Sequence, residues 1–229
     1  MNIKKNRIIS KYLFDNKKKF GETKLGLASS YVWQNDPRRL FISLSRYKFV
    51  SKMLEGKKNV LEIGGDSFRN RLVKQVVTKL TVIDPKKEKI KEAKKKNSKT
   101  YKVNYHVHDI LKKPFHTRDK NFDGVYALDV LNSIEKKSEN LFIKNSIYNL
   151  KNDGVYIAGM PSLESKKYAS KISKLVHVNC KSGDQFKKLF EKYFYNVFLF
   201  SMNDEVVHTG FFKMAHYIIV LCTGKKNNL

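Results

Sequence analysis

The sequence predicts an α/β fold, a doubly wound, mostly parallel sheet of seven strands with an antiparallel strand at one edge. Two patterns indicate this class. Short apolar runs alternate five times with segments of helical spacing, which is typical of a parallel sheet with helices on both faces. The last two apolar runs are joined by a loop without a helical pattern, and this indicates an antiparallel hairpin at the edge. The length of 229 residues suits one domain.

The seven apolar runs are the predicted strands, and turn-forming residues bound them. The first run ends at Gly64 and Gly65 and the second at Asp84 and Pro85, because these residue types interrupt regular structure. In chain order, the predicted strands cover residues 58–63, 80–83, 103–107, 122–128, 155–158, 197–201 and 216–221.

Helical spacing fills most of the intervals between these runs. Asp36 followed by Pro37 predicts a helix start, because Asp caps free N–H groups and Pro suits the first helical position. Ser182 and Gln185 form a capping-box pattern, which predicts another helix start. Gly21 is expected to interrupt any long helix in residues 1–30. The predicted helices cover residues 37–54, 68–79, 88–96, 138–150 and 183–193. We expect residues 1–54 to form an N-terminal extension and a helix that cover the site, and residues 55–229 to form the sheet domain.

The formal net charge is +26, which favours an anionic partner such as nucleic acid, anionic lipid or an acidic substrate. However, 40 of the 47 basic residues are lysines, scattered in short clusters. Proteins that read phosphates and bases rely strongly on arginine. We therefore interpret the charge mainly as a compositional bias, and nucleic acid is the less favoured partner.

Neither a membrane segment nor a metal site is predicted. No apolar run reaches the roughly 18 residues that a membrane span requires, and the basic first 20 residues lack the apolar core of a secretion signal. Cys180 and Cys222 lie far apart without metal-type spacing, which indicates free thiols in a reducing compartment. A cytoplasmic location is therefore expected. The sequence does not predict an oligomeric state.

The residues that follow the strands are candidates for ligand binding, because an open α/β sheet binds ligands at the carboxyl ends of its strands. Glu62 and the two glycines close the first strand. Asp84 closes the second, where an acidic residue accepts hydrogen bonds from ribose hydroxyls. The third and fourth strands lead to Asp109 and Asp129. The glycine pattern of dinucleotide-binding folds, G-x-G-x-x-G, is absent after the first strand.

Five segments in order, VLEIGGD, TVIDP, HDI, FDGVYALDVLNSI and LKNDGVYIAG, resemble the motifs of class I (Rossmann-like) S-adenosylmethionine-dependent methyltransferases. The resemblance covers about residues 58–160, and it implies S-adenosylmethionine as the cofactor. Two departures stand out, since the glycines are adjacent where the family has a residue between them, and Asn132-Ser133 replaces a common Glu-His pair. The implied cofactor-binding residues are Glu62, Gly64 and Gly65 near the methionine end, Asp84 at the ribose, Pro85 and Asp109 at the adenine, and Asp129 facing methionine and substrate.

Methyl transfer requires a positioned acceptor, and a hydroxyl acceptor benefits from a general base. His177 and His208 are the candidate bases, and Glu205 is the candidate carboxylate partner of His208. The loop 202–215, which carries His208, is expected to fold over the acceptor. For each histidine, the alternative is a loop residue exposed to solvent or bonded to the backbone.

The favoured function is O- or N-methylation of a small molecule, such as a sugar or sugar nucleotide. Overall charge alone supports a second possibility, an RNA- or DNA-modifying methyltransferase. A proline-aromatic motif typical of base methylation is absent after the fourth strand. The shortened glycine segment supports a third possibility, a catalytically silent binding protein with the same fold.

Overall fold

The computed structural model describes residues 3–97, 100–117 and 121–227. The first residues of the predicted segment 1–54 and the last residues of the predicted segment 55–229 therefore lie outside the described residues. One eight-stranded sheet runs through the described residues. Its strands are β1 (Asn59–Ile63), β2 (Lys79–Asp84), β3 (Asn104–Val107), β4 (Phe122–Leu128), β5 (Leu150–Pro161), β6 (Phe194–Asn203), β7 (Val206–His208) and β8 (Tyr217–Lys225). The helices are α1 (Ile3–Phe20), α2 (Leu27–Asn35), α3 (Pro37–Met53), α4 (Arg71–Lys74), α5 (Lys87–Lys95), α6 (Glu139–Ile147), α7 (Lys171–Val176) and α8 (Gly183–Glu191).

The strand order is β3-β2-β1-β4-β5-β8-β6-β7, and strands β1 to β5 are mutually parallel. β8 is antiparallel to both β5 and β6, between which it lies, and β7 is antiparallel to β6 at the outer edge. The predicted fold class is confirmed. The structure has one strand more than the seven predicted. This strand is β7, which is three residues long and lies inside the segment predicted as a loop.

Helices cover both faces of the sheet, because the inner strands are apolar on both sides. Val60 of β1 belongs to a buried cluster with Val50 of α3 and Val73 of α4. Its neighbour Leu61 points to the opposite face and belongs to a second cluster, with Phe142 of α6 among its members. Because successive side chains of β1 point to opposite faces of the sheet, α3 and α4 pack on one face and α6 packs on the other.

Two helix starts agree with their sequence patterns. The side chain of Asp36 accepts a hydrogen bond from Arg39 N at 3.3 Å, and Pro37 is the first residue of α3. Ser182 and Gln185 form both hydrogen bonds of a capping box at the start of α8, at 3.3 and 3.1 Å. These patterns are local, so the sequence alone was sufficient to predict them.

Several predicted boundaries shift by a few residues, α2 and α7 were not predicted, and three larger differences have a local cause. Residues 68–79 contain only the short helix α4, flanked by turns. β5 begins at Leu150 instead of residue 155, because Leu150 already pairs with Phe122 of β4. Residues 3–20 form one 18-residue helix, and Gly21, with φ of +69°, follows its last residue. The glycine therefore ends this helix instead of preventing it. Among the described residues, no helix combines the length and the apolar character that a membrane crossing requires.

Candidate active site

The carboxyl ends of β1, β2, β3 and β4 meet at one edge of the sheet. Chain order reverses between β1 and β4, and a ligand crevice is expected at such a reversal. Backbone hydrogen bonds hold the strand exits together: Gly64 N donates to Ile83 O at 2.8 Å, and His108 N donates to Asp84 O at 3.1 Å. The structure therefore brings the predicted strand-end residues to one place.

Neither Gly64 nor Gly65 has room for a side chain. Gly64 has φ of +77°, and a Cβ atom there would lie 2.6 Å from Val130 Cγ2. A Cβ atom on Gly65 would overlap the carboxylate of Glu62. Glycine avoids both the overlap and the strained φ. The two adjacent glycines thus form a tight turn whose bare backbone borders the crevice, and the turn also contacts the residue after Asp129.

Glu62 is a buried carboxyl beneath this turn, with 1% of its surface exposed. Tyr47 of α3 donates its hydroxyl to Glu62 Oε1 at 3.0 Å. Burial raises the pKa of Glu62 to about 7, although the hydrogen bond from Tyr47 and the nearby polar side chains of Tyr126 and Asn70 act in the opposite direction. Glu62 therefore exists in both protonation states near neutral pH.

This raised pKa predicts a pH-dependent contribution to stability. The folded state holds the Glu62 proton more tightly than the unfolded state, so the contribution is complete below the ordinary pKa of 4.5 and is lost as the pH rises to about 7. Its size is on the order of 3 kcal/mol. Urea unfolding at several pH values should therefore show a smaller loss of stability between pH 5 and 8 in Glu62→Gln than in the wild type. Equal pH profiles for the two proteins would contradict the raised pKa.

Asp66 organises the segment that follows the glycine turn. Its Oδ1 accepts hydrogen bonds from Phe68 N at 2.9 Å and Arg69 N at 3.1 Å, and its Oδ2 lies 3.4 Å from the Arg69 guanidinium. Ser29 of α2 donates to the same carboxylate at 3.4 Å. Sequence reasoning did not identify Asp66, whose role depends on the local turn and on a helix 37 residues earlier.

Asp84 and Asp109 are held in place at the ends of β2 and β3. Asp84 is almost fully buried, its Oδ1 accepts from Lys86 N at 2.8 Å, and its Oδ2 lies 3.0 Å from Lys89 Nζ. Asp109 Oδ1 accepts from Leu111 N at 3.0 Å. A carboxylate has about four acceptor positions, so both groups retain capacity for ligand hydroxyl or amino groups.

The end of β4 carries an ion pair that sequence reasoning missed. Asp129 has φ of +58°, a conformation that non-glycine residues adopt with strain and often at functional sites. Its Oδ2 lies 3.0 Å from Arg46 Nη1, and the Arg46 guanidinium stacks on the Tyr217 ring at 3.7 Å from the ring centroid. The pair is only partly exposed, with 20% of the Arg46 side chain accessible. No local motif around Arg46 indicates that it pairs with Asp129, because the two residues lie 83 positions apart in the sequence.

His177 lies near this ion pair. It follows α7 and is half-buried. Nearby, Asn179 N donates to Asn132 O at 2.9 Å, which joins this segment to the exit of β4. Burial lowers the pKa of His177, the charge of Asp129 opposes that effect, and the cations Arg39, Lys166 and Arg46 lower the pKa further. The His177 imidazole is therefore neutral at pH 7 and able to accept a proton.

His208 and Glu205 lie in a different part of the fold. His208 is in β7, which β5, β8 and β6 separate from β4, and its Nδ1 accepts from Gly210 N at 3.0 Å. Glu205 lines a cavity of about 680 Å³ together with Arg38 and Arg39. Their proposed catalytic roles stay predictions, and His177 lies within electrostatic reach of Asp129. In the described part of the chain, no group of three His, Cys, Asp or Glu side chains is arranged to hold a metal ion.

Residues 61–158 match a protein family described as methyltransferase domain. No match was found among curated protein sequences. Among solved structures, the N-methyltransferase NodS from Bradyrhizobium japonicum in complex with S-adenosyl-L-homocysteine is 18% identical, with a TM-score of 0.60 over 89% of this chain and 95% of that one. The plantazolicin methyltransferase BpumL, also bound to S-adenosylhomocysteine, is 16% identical, with a TM-score of 0.61 over 86% and 88% of the two chains.

A third similar structure is the methyltransferase partner in a complex with the Haloferax volcanii methyltransferase activator Trm112. It is 12% identical, with a TM-score of 0.63 over 85% of this chain and 97% of that one. At these identities the structures establish the fold. The glycine turn and the carboxylates at the strand ends supply the bare backbone and acceptors that an adenosyl amino acid requires. These findings place residues 61–158 in a methyltransferase domain with the class I, Rossmann-like fold, and they imply S-adenosylmethionine as its cofactor.

Proposed function

We propose that the protein methylates an oxygen or nitrogen atom of a small, anionic molecule, such as a sugar nucleotide, at the exit of β4. The observation that carries this proposal is the Arg46–Asp129 ion pair at that exit, with His177 within electrostatic reach of both residues. S-adenosylmethionine supplies a methyl group already activated on a sulfonium, so the protein has to bind and orient the two reactants. A hydroxyl acceptor also requires a group that takes its proton.

We assign cofactor binding to the residues at the strand ends. The turn at Gly64 and Gly65, above Glu62, borders the methionine end, and Asp84 accepts hydrogen bonds from the ribose. Pro85 and Asp109 flank the adenine. The tight glycine turn and the free acceptor capacity of the two aspartates support this assignment, although the glycine segment is shorter than in the family.

The Asp84 assignment predicts a loss of cofactor affinity. Asp84→Ala should weaken S-adenosylmethionine binding by about 1.5–3 kcal/mol, as expected for lost hydrogen bonds to a charged group. Isothermal titration calorimetry measures the change. Asp153→Ala is the matched control, since Asp153 is exposed near the amino end of β5. Equal affinities of Asp84→Ala and the control protein would exclude the assignment.

The ion pair after β4 suits the amino acid end of the cofactor, which carries an ammonium and a carboxylate. Asp129 is the partner for the ammonium and Arg46 the partner for the carboxylate. In support, the pair adjoins the glycine turn, because Gly64 packs against Val130. Arginine binds carboxylates with two parallel hydrogen bonds, which gives this contact both strength and orientation.

The segment 1–54 then serves as a cover for the cofactor site, and residues 55–229 form the sheet domain. Three contacts support this division. Leu27 N donates to Glu92 Oε1 at 2.8 Å, Ser29 donates to Asp66, and Arg46 pairs with Asp129. Each contact joins α2 or α3 to an element beside the crevice.

His177 is our first candidate for the base. Its lowered pKa and its position near Asp129 support this role. His208 with Glu205 remains the second candidate, in the segment 202–215 that we expect to border the acceptor. The cations Arg39 and Lys166 near His177 favour an acceptor with a carboxylate or phosphate over a neutral one.

We also propose a cytoplasmic location. Cys180 and Cys222 are both free thiols, which suits a reducing compartment.

A methyl-transfer assay tests the acceptor class. The protein is incubated with methyl-labelled S-adenosylmethionine and one of three acceptor sets: sugar nucleotides, the corresponding neutral sugars, or total RNA. We expect label on sugar nucleotides in preference to neutral sugars. Label on RNA alone would overturn the small-molecule proposal and favour the nucleic-acid alternative, for which only the overall charge now argues.

A further inference from the structure

The first helix, α1, carries an exposed apolar side. Every residue from Lys5 to Phe20 is exposed. Five large apolar side chains lie on one side of the helix, within an arc of about 140° at 3.6 residues per turn. They are Ile8, Ile9, Tyr12, Leu13 and Phe20, with exposed fractions between 54% and 73%. Lys5, Asn16 and Lys19 lie within the same arc, so polar groups interrupt the apolar side. An exposed cluster of large apolar side chains marks a site of interaction with a protein or a membrane.

The opposite side of α1 is mostly cationic, although the exposed side chain of Phe14 also lies there. Arg7, Lys11, Lys17 and Lys18 lie there, and residues 5–20 contain six basic side chains against the single acid Asp15. Lys17 pairs with Glu22 at 2.6 Å, which leaves a clear excess of positive charge. The partner of α1 is therefore both anionic and able to receive apolar side chains.

The body of the protein extends this positive charge beyond the end of α1. A cavity of about 430 Å³ beside Phe20 is lined by five basic side chains and the single acid Glu22. The basic residues are Lys19, Lys24, Arg71, Lys95 and Lys96. The charge pattern thus continues from the helix onto the surface next to it.

These observations argue against a second copy of the chain as the partner. An apolar groove of about 780 Å³ between α3 and α4 is large enough for a helix side. However, Lys48, Lys52 and Arg71 line it against the single acid Glu205, so it repels a helix of the same charge. Nucleic acid supplies phosphates but leaves the aliphatic side chains Ile8, Ile9 and Leu13 without an apolar environment.

We propose that α1 docks the protein on the surface of an anionic lipid bilayer, with its apolar side in the interfacial layer and its basic side at the headgroups. Amphipathic helices with lysine-rich polar sides bind membranes in this orientation. Basic residues near the surface add to the attraction. The helix lies on the membrane and does not cross it, in keeping with its cationic composition.

Vesicle flotation with the full chain tests this proposal. The wild type should float with vesicles of phosphatidylcholine and phosphatidylglycerol and not with pure phosphatidylcholine. The double variant Ile9→Glu/Leu13→Glu should lower the partition coefficient at least about tenfold, because two apolar side chains no longer enter the interface. Leu141→Glu, which alters an exposed leucine of α6, is the matched control and should bind as the wild type does.

The double variant should unfold at the same temperature as the wild type, since both changed residues are exposed. No flotation with anionic vesicles at low salt would overturn the proposal, and so would unchanged flotation of the double variant. A dimer in sedimentation velocity that the double variant abolishes, without vesicle binding, would assign α1 to a second copy instead. Binding to RNA that the double variant retains, without vesicle binding, would assign the positive charge to nucleic acid.

Discussion

Replacement of His177 by alanine should lower the rate of methyl transfer to a hydroxyl acceptor by about 10²–10⁴, the usual contribution of a general base. Cofactor affinity should not change, because the proposed role of His177 concerns the acceptor. The rate in the wild type should rise with pH through a value below 6.5, since burial and neighbouring cations lower the pKa of His177. Single-turnover rates as a function of pH, with the acceptor that the transfer assay identifies, measure both effects.

His208→Ala is the matched control for this experiment. It should leave the rate unchanged, since three strands separate β7 from β4 and a backbone amide already occupies His208 Nδ1. A large loss in His208→Ala with none in His177→Ala would assign the base to His208 instead. Full activity of both variants would exclude a histidine base and favour an amine acceptor, which needs only to be unprotonated.

Replacement of Arg46 by glutamine should weaken S-adenosylmethionine binding by about 1.5–3 kcal/mol, or tenfold or more, because a charged hydrogen-bond partner is lost. Decarboxylated S-adenosylmethionine lacks the carboxylate that Arg46 is proposed to bind. The variant should therefore bind this analogue about as well as the wild type does. Calorimetric titration of both proteins with both ligands shows directly whether the loss of affinity in the variant depends on the ligand carboxylate.

An equal loss of affinity for the two ligands would show that Arg46 acts only through the structure of the site. Arg39→Gln is the matched control. Arg39 lies seven residues earlier in the same helix, outside the Asp129 ion pair, and its replacement should not alter the affinity for either ligand.

Local patterns in the sequence were sufficient to predict most of the fold. The glycines after β1 and the acid that ends β2 are short-range features, and the alternation of apolar runs placed both at one sheet edge. The starts of α3 and α8 were predictable for the same reason, since caps such as Asp36 and Ser182 act within one turn.

The features that sequence reasoning missed depend on contacts between distant segments. Arg46 and Tyr47 contact Asp129 and Glu62 only because α3 packs beside the ends of β4 and β1. The partners lie 83 and 15 residues away in the sequence, so no local pattern indicates these contacts. The choice between His177 and His208 likewise depends on the path of two loops. His208 lies close to Glu205 in the sequence, whereas His177 lies within electrostatic reach of Asp129 although 48 residues separate the two.

The most direct test of the account is a crystal structure of the protein with S-adenosylhomocysteine. We expect the ligand to lie at the carboxyl ends of β1, β2 and β4, with its ribose hydroxyls donating hydrogen bonds to Asp84. Its carboxylate should contact Arg46, and its ammonium should contact Asp129. A ligand bound elsewhere, or one bound at this edge while the Arg46–Asp129 pair remains intact and apart from it, would contradict the proposed site.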